Sequence, residues 1–98
     1  MTAYVIAEVK IKDHDQYARE IVPIFNTTHK KHGGRILVRT DEPATFAGMP
    51  PGGRMVLLEF PDTDTARRWW NSAAVREAVD RRDALRINSI VTLEGIVT

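Results

Sequence analysis

Two histidines three residues apart, in the stretch His29-Lys30-Lys31-His32-Gly33-Gly34-Arg35, have the types and spacing of a metal site or a phosphate grip. H-x-x-H puts both rings on one side of a helix, but no third ligand stands nearby, and zinc takes three or four protein ligands. Basic residues at a helix C-terminus meet unpaired carbonyls and the negative end of the dipole. Phosphates are instead held by amides at helix N-termini. Gly33 suits the left-handed residue that ends a helix. The stretch therefore reads as a last helical turn, its cap and the first residue of a strand, and no metal is expected.

Other chemistries fall away in turn. The chain has no cysteine, which removes thiol nucleophiles, disulfides and zinc–thiolate sites. Ser72 and Ser89 lack a G-x-S-x-G turn, and there is neither a P-loop nor G-x-G-x-x-G. What survives is binding of, or proton transfer on, a small and partly apolar molecule. Arg39 would read its anionic group, and Glu59 or Tyr17 would handle the proton. Tyr17, Phe25, Trp69 and Trp70 are aromatics at helical spacing, which are more often plain core than the lining of a pocket. Adjacent Trp69 and Trp70 cannot both point inward. His14, His29 and His32 lie at the ends of the first helix, away from that pocket, so no haem and no other cofactor is expected.

The elements that position these residues follow from periodicity. Ala3 to Ile11 alternates as a strand. Asp13 is an N-cap with Gln16 completing a capping box, and Tyr17, Ile21, Ile24, Phe25 and Thr28 form one helical stripe. Pro23 lies inside it and cannot donate to the Arg19 carbonyl, which predicts a kink or loosened turn. Arg35 to Arg39 is a second strand. Residues 41–53 form a loop whose Phe46 and Met49 are available to fold back over a pocket. Arg54 to Phe60 is a third strand. Asp62 caps a helix with Ala66, Trp69, Trp70 and Ala73 on its apolar face, continued after Ser72 through Val75, Ala78, Val79 and Leu85. Ile90 to Val97 is the last strand. The order β-α-β-β-α-β in one domain, 1–98, is the ferredoxin-like α+β sandwich. It predicts a four-stranded antiparallel sheet with the first and third strands central and two helices on one face.

Strict alternation places Val5, Ala7, Val9, Ile36, Val38, Val56, Leu58, Phe60, Val91 and Leu93 under the helices. The opposite face then carries Tyr4, Ile6, Leu37, Met55, Leu57 and Ile90 at its centre, where a solvated sheet should be polar. An apolar patch of that size predicts a homodimer packed sheet to sheet, each copy covering the other's patch. Glu8 and Arg39 would share one rim of this face and Glu59 and Glu94 the other. Solvated salt bridges are the ordinary outcome there, although paired carboxylates can also create an acid/base site.

The charge balance, +1 from 14 basic and 13 acidic residues, argues against a nucleic-acid partner. Arg67-Arg68 and Arg81-Arg82 alternate with acids as on a solvated helix face. No apolar run is long enough to cross a bilayer and the start lacks the features of a signal peptide, so the cytoplasm is the expected compartment and no membrane partner is expected.

The segments YVIAEVKIKDHDQY (4–17), HGGRILVR (32–39), MVLLEFPDTDTARRWWNS (55–72) and IVTLEG (90–95) together resemble the domain-of-unknown-function family thirteen-thirty, of the dimeric α+β barrel superfamily. The resemblance implies a ferredoxin-like protomer and a sheet-to-sheet homodimer. It places Glu8, Tyr17, Gly33-Gly34, Arg39, Glu59-Phe60-Pro61, Trp69, Ser72 and Glu94 on family-typical positions. The chain departs from the family where Ala73 and Val75 replace a proline and a tyrosine, and where the 41–53 loop lacks a tryptophan. The resemblance implies no reaction. The wider superfamily includes cofactor-free monooxygenases, isomerases, cyclases and haem enzymes whose ligands commonly sit between sheet and helices, a layer that the resemblance implies Tyr17, Phe25, Trp69 and Trp70 would line here; fold does not carry function. Two readings stay open: a small cofactor-free isomerase or monooxygenase, and a non-catalytic dimer that binds a small ligand or a protein.

Overall fold

The computed structural model describes residues 1–96. Its strands are β1 (Ala3–Ile11), β2 (Arg35–Thr40), β3 (Arg54–Phe60) and β4 (Leu85–Glu94). They form one antiparallel sheet in the order β2-β3-β1-β4, with the first and third strands central. This is the ferredoxin-like α+β architecture. The helices α1 (His14–Gln16), α2 (Val22–Lys31), α3 (Thr63–Trp70) and α4 (Ala73–Val79) form the second layer.

A π-helical turn, Tyr17–Ile21, joins α1 to α2. It answers the problem posed by Pro23: the bond pattern slips by one residue, and Val22 N–H donates to the Tyr17 carbonyl ahead of the proline. Asp13 accepts from the Gln16 amide at 3.0 Å, but the Gln16 side chain does not close the box. It donates instead to Asp83 at 2.9 Å. α3 has the full box, with Asp62 and Thr65 satisfying each other's backbone amides. Ser72 stands at the N-cap of α4, yet its hydroxyl turns back to the Trp69 carbonyl at 2.8 Å.

HKKHGGR is the end of α2. Gly33 is left-handed at φ 76°, and Gly34 N–H donates to the His29 carbonyl at 2.7 Å, the 6→1 bond of a Schellman end. His29 and His32 each use Nδ1 on the carbonyl four residues back, of Phe25 and Thr28. Among the described residues no three metal-ligating side chains cluster.

Several expectations need correction. The apolar series through Val79 to Leu85 is not one helix. α4 ends at Val79, and Leu85 opens β4 opposite Ile11. The expected last strand thus begins five residues early, and its final residue, Val97, lies outside the described residues. Ala73 is exposed rather than core. Phe46 and Met49 do not fold back, being 102% and 92% exposed.

Two β-bulges change which side chains share a face. In β2, Ile36 pairs with Leu58 and Val38 with Leu57, so Leu37 is the extra residue. From there Val38 joins the open face, and Arg39, beside Val56, joins the helix side. In β4, Ser89 pairs with Glu8 and Ile87 with Val9, making Asn88 the extra residue. Ile90 then pairs with Ala7 under the helices, while Val91 and Leu93 face outward beside Ile6 and Tyr4. The expected placement of Ile90 on the open face is thereby overturned.

The core between the layers has Phe60, Ile21, Leu85 and Val75 as its largest fully buried side chains. A β-carbon on Gly34 would meet the Phe60 ring at 2.5 Å. Gly34→Ala should therefore cost about 1–3 kcal/mol, as overpacking does, measured by urea denaturation at neutral pH.

Candidate functional site

Between sheet and helices runs an apolar cleft of about 50 Å³. Its floor comes from the inward residues of all four strands, Ala7, Val56, Leu58 and Ile90 among them, and Phe25 and Val22 cover it from α2. Trp69 forms one wall. It is 2% exposed, packs on Phe60 at a centroid distance of 5.2 Å, and donates its indole N–H to Thr28 Oγ1 at 3.2 Å. Trp70 is half-buried on the same lining. Polar groups are few: Tyr17, Asn26 and Arg39.

Tyr17 opens the π-helical turn and is 7% exposed. The Arg54 guanidinium lies over its ring at 5.5 Å from the centroid. Arg54 is itself gripped by Asp41, with Nε to Oδ1 at 2.7 Å and Nη2 to Oδ2 at 3.1 Å. Burial pushes the Tyr17 phenol above its ordinary value; Arg54, by charge and hydrogen bonding, and Arg39, by charge, oppose this without reversing it. The phenol therefore stays protonated at neutral pH and keeps an O–H available to donate. Asp41 is held below its ordinary value, first by its hydrogen bonds with Arg54. It is a poor base.

Of the residues expected to act together, Tyr17, Arg39 and Trp69 line the cleft. Glu59 does not. It lies on the open face beside Tyr4 and pairs with Arg35 at 3.0 Å. Glu8 accepts from the Asn88 amide at 2.8 Å and faces away from Arg39. Glu94 pairs with Ala3, whose side chain faces the helices, so it does not join Glu59. Tyr4, Ile6, Met55 and Leu57 share the open face, and Leu37, 39% exposed, marks the bulge.

Arg54 and Asp41 escaped the sequence reading. The signal was present for Arg54, which shares the alternation of Val56 and Leu58 and so faces the helices. Asp41 continues the phase of Arg39, but only once the bulge is known.

The sequence matches the family described as Domain of unknown function (DUF1330) over residues 2–96. The chain belongs to this family. Among solved structures it resembles RPA0582, a protein of unknown function from Rhodopseudomonas palustris. The TM-score is 0.64 at 16% identity, covering 99% of this chain and 84% of that one. The structural-genomics protein YJCS gives 0.59 at 14% identity, covering 98% and 100%. A putative antibiotic biosynthesis monooxygenase from Chloroflexus aurantiacus J-10-fl gives 0.59 at 11% identity, covering 100% and 96%. These likenesses show the fold that this DUF1330 chain shares with them. No curated protein matches the chain.

Tyr17 yields a pH prediction. Above the ordinary tyrosine value of 10.0 the unfolded chain loses a proton that the folded protein still holds. Stability from this group is complete below that value and is lost as pH rises through the higher folded one. Urea denaturation between pH 9 and 11 should show a decline that Tyr17→Phe makes shallower.

Proposed function

We propose that this DUF1330 protein is a homodimer that binds a small organic acid or phenol in the cleft of each protomer. The observation that carries this reading is that a protonated, buried Tyr17, with Arg54 over its ring, shares a mostly apolar cleft with Arg39. Such a site accepts an apolar body and solvates one oxyanion. Arg39 is the ligand-reading cation, because among the described residues no carboxylate lies within ion-pair distance of it, whereas Arg54 is already bound to Asp41. Tyr17 donates the second hydrogen bond to the ligand oxygen.

Two forms of this reading differ in the fate of the bound ligand. In the enzymatic form, a cofactor-free isomerase or monooxygenase, hydroxide or water from solvent takes the ligand's proton, and Arg39 and Tyr17 stabilise the enolate or phenolate left behind. In the other form the dimer only holds the ligand. The second has a specific observation in its favour: Asp41, the acidic residue beside Arg54 and Tyr17, is tied up and weakly basic.

Thermal-shift titration with benzoate, phenylacetate and short aliphatic acids tests the binding. Stabilisation is expected with the wild type, and Arg39→Ala should weaken it by about tenfold to a hundredfold, the size of a charge-assisted hydrogen bond. Equal shifts in both proteins would sink the assignment of Arg39. Solvent deuterium entering the α-carbon of a bound acid, followed by NMR, separates the enzymatic form from simple binding.

The dimer reading rests on the open face. Val38, Val91 and Leu93 are 46%, 51% and 51% exposed there, around Ile6 and Leu57. A second copy meets this patch with the same patch about a two-fold axis, and the exposed Arg35–Glu59 pair gives it a charged rim. Leu57→Glu puts a charge at its centre. Sedimentation velocity should show this variant as a monomer and the wild type as a dimer.

A further inference from the structure

A second cavity, of about 150 Å³, opens at the β4 edge between α3 and the sheet, where Arg67 and Thr92 lie. It shares Trp69, Trp70 and Ile90 with the cleft that reaches Arg39. Of these three, Ile90 is fixed in the sheet opposite Ala7, and Trp69 is locked by Thr28 and by the aromatic rings of Phe25 and Phe60. Trp70 is the half-buried member, placed at the last residue of α3, immediately before the break between α3 and α4.

Trp69 packs against it with 6.2 Å between ring centroids, and a second side chain clamps it. The Arg76 guanidinium stacks 3.9 Å above the Trp70 ring, and its Nε donates to the Trp70 carbonyl at 2.9 Å. Arg76 Nη2 is buried with no hydrogen-bond partner among the described residues. A guanidinium normally finds partners for its buried nitrogens. Here the guanidinium combines one hydrogen bond, from Nε to the Trp70 carbonyl, with stacking on the indole, and the two together set the clamp.

We infer that Trp70 is a partition that sets the length of ligand the cleft accepts, with Arg76 as the positioning residue that keeps it closed. With the partition in place, only the short cleft is available. With it removed, the two cavities become one passage from Arg39 to the β4 edge, which takes an acid carrying a longer apolar tail. This rests on the acid-binding reading for the head group, but the partition itself is a matter of apolar space and can be read without a charge.

The test uses two homologous series on the whole protein, followed by calorimetry: neutral n-alkylbenzenes from toluene to butylbenzene, and the matching 4-alkylbenzoates. In the wild type, affinity should stop rising after the shortest members. In Trp70→Ala each added methylene should tighten binding by about fourfold, the transfer value of one methylene group. Arg76→Gln, which keeps the indole and its packing, should show the same trend at smaller size, and it stands in if Trp70→Ala does not fold. Identical length profiles for the neutral series in the wild type and these variants would overturn the partition, as would no binding of either series to any of them. Benzoates bound equally well by Arg39→Ala, with the neutral series still length-dependent in Trp70→Ala, would remove the acid reading and leave the partition standing.

Discussion

Side chains alternate along a strand, so one extra residue reverses the side on which everything after it points. Leu37 is that residue in β2. Were Leu37 paired in regular register with Leu57, Arg39 would stand on the open face and Val38 would fill its place under the helices. With the bulge, a cation enters the layer that holds Tyr17 and Trp69, and Asp41 follows in the same phase to meet Arg54. The polar part of the cleft depends on this single bulge. The second bulge, at Asn88, acts in the opposite sense for polarity: it turns Ile90 inward to complete the apolar floor and sends Val91 and Leu93 to the open face.

This explains which parts of the structure were legible in the sequence. β1 and β3 pair with each other without a bulge, and their bounds were readable to the residue. The ends of α2 and α3 carry local chemistry, Gly33 and Asp62, that specifies them without reference to the rest of the chain. The bulges carry no such mark. Ile36, Leu37 and Val38 are all aliphatic, so their types give no phase, and the face of Arg39 depends on pairing with β3. The misreading of Leu85 is of another kind: Val75, Ala78 and Val79 set up a helical period that Leu85 happens to continue. The turn after α4, with Ala84 N–H donating to the Arg81 carbonyl and the Ala84 carbonyl accepting from Lys12, ends that period.

The conformation of the first helix and the chemistry of the site are linked through Pro23. A proline there forbids one helical bond, and the backbone absorbs the loss as a wider turn beginning at Tyr17. The phenol is thereby carried by an irregular turn over the end of the cleft, beneath a guanidinium. Burial keeps it neutral while Arg54 and Arg39 draw it toward ionisation. The balance leaves a proton donor beside positive charge, an arrangement suited to stabilising a negative oxygen and unsuited to removing a proton.

The strands that floor the cleft also form the open face, which accounts for a feature of β3 that a one-sided sheet does not need. A sheet with one solvated face calls for alternating polar residues. Met55, Val56, Leu57 and Leu58 are instead four apolar residues in a row, two facing the helices and two facing outward. In the proposed dimer both sides of β3 are dry, and its continuous apolar character becomes the pattern expected of a strand buried on both faces. The charged residues obey the same constraint from the other direction: Arg35 and Glu59 lie toward one end of this face and Glu8 toward the other, leaving the apolar centre clear. The sheet so arranged floors the cleft on its inner face, and the proposed partition, Trp70, stands opposite it on the helical side.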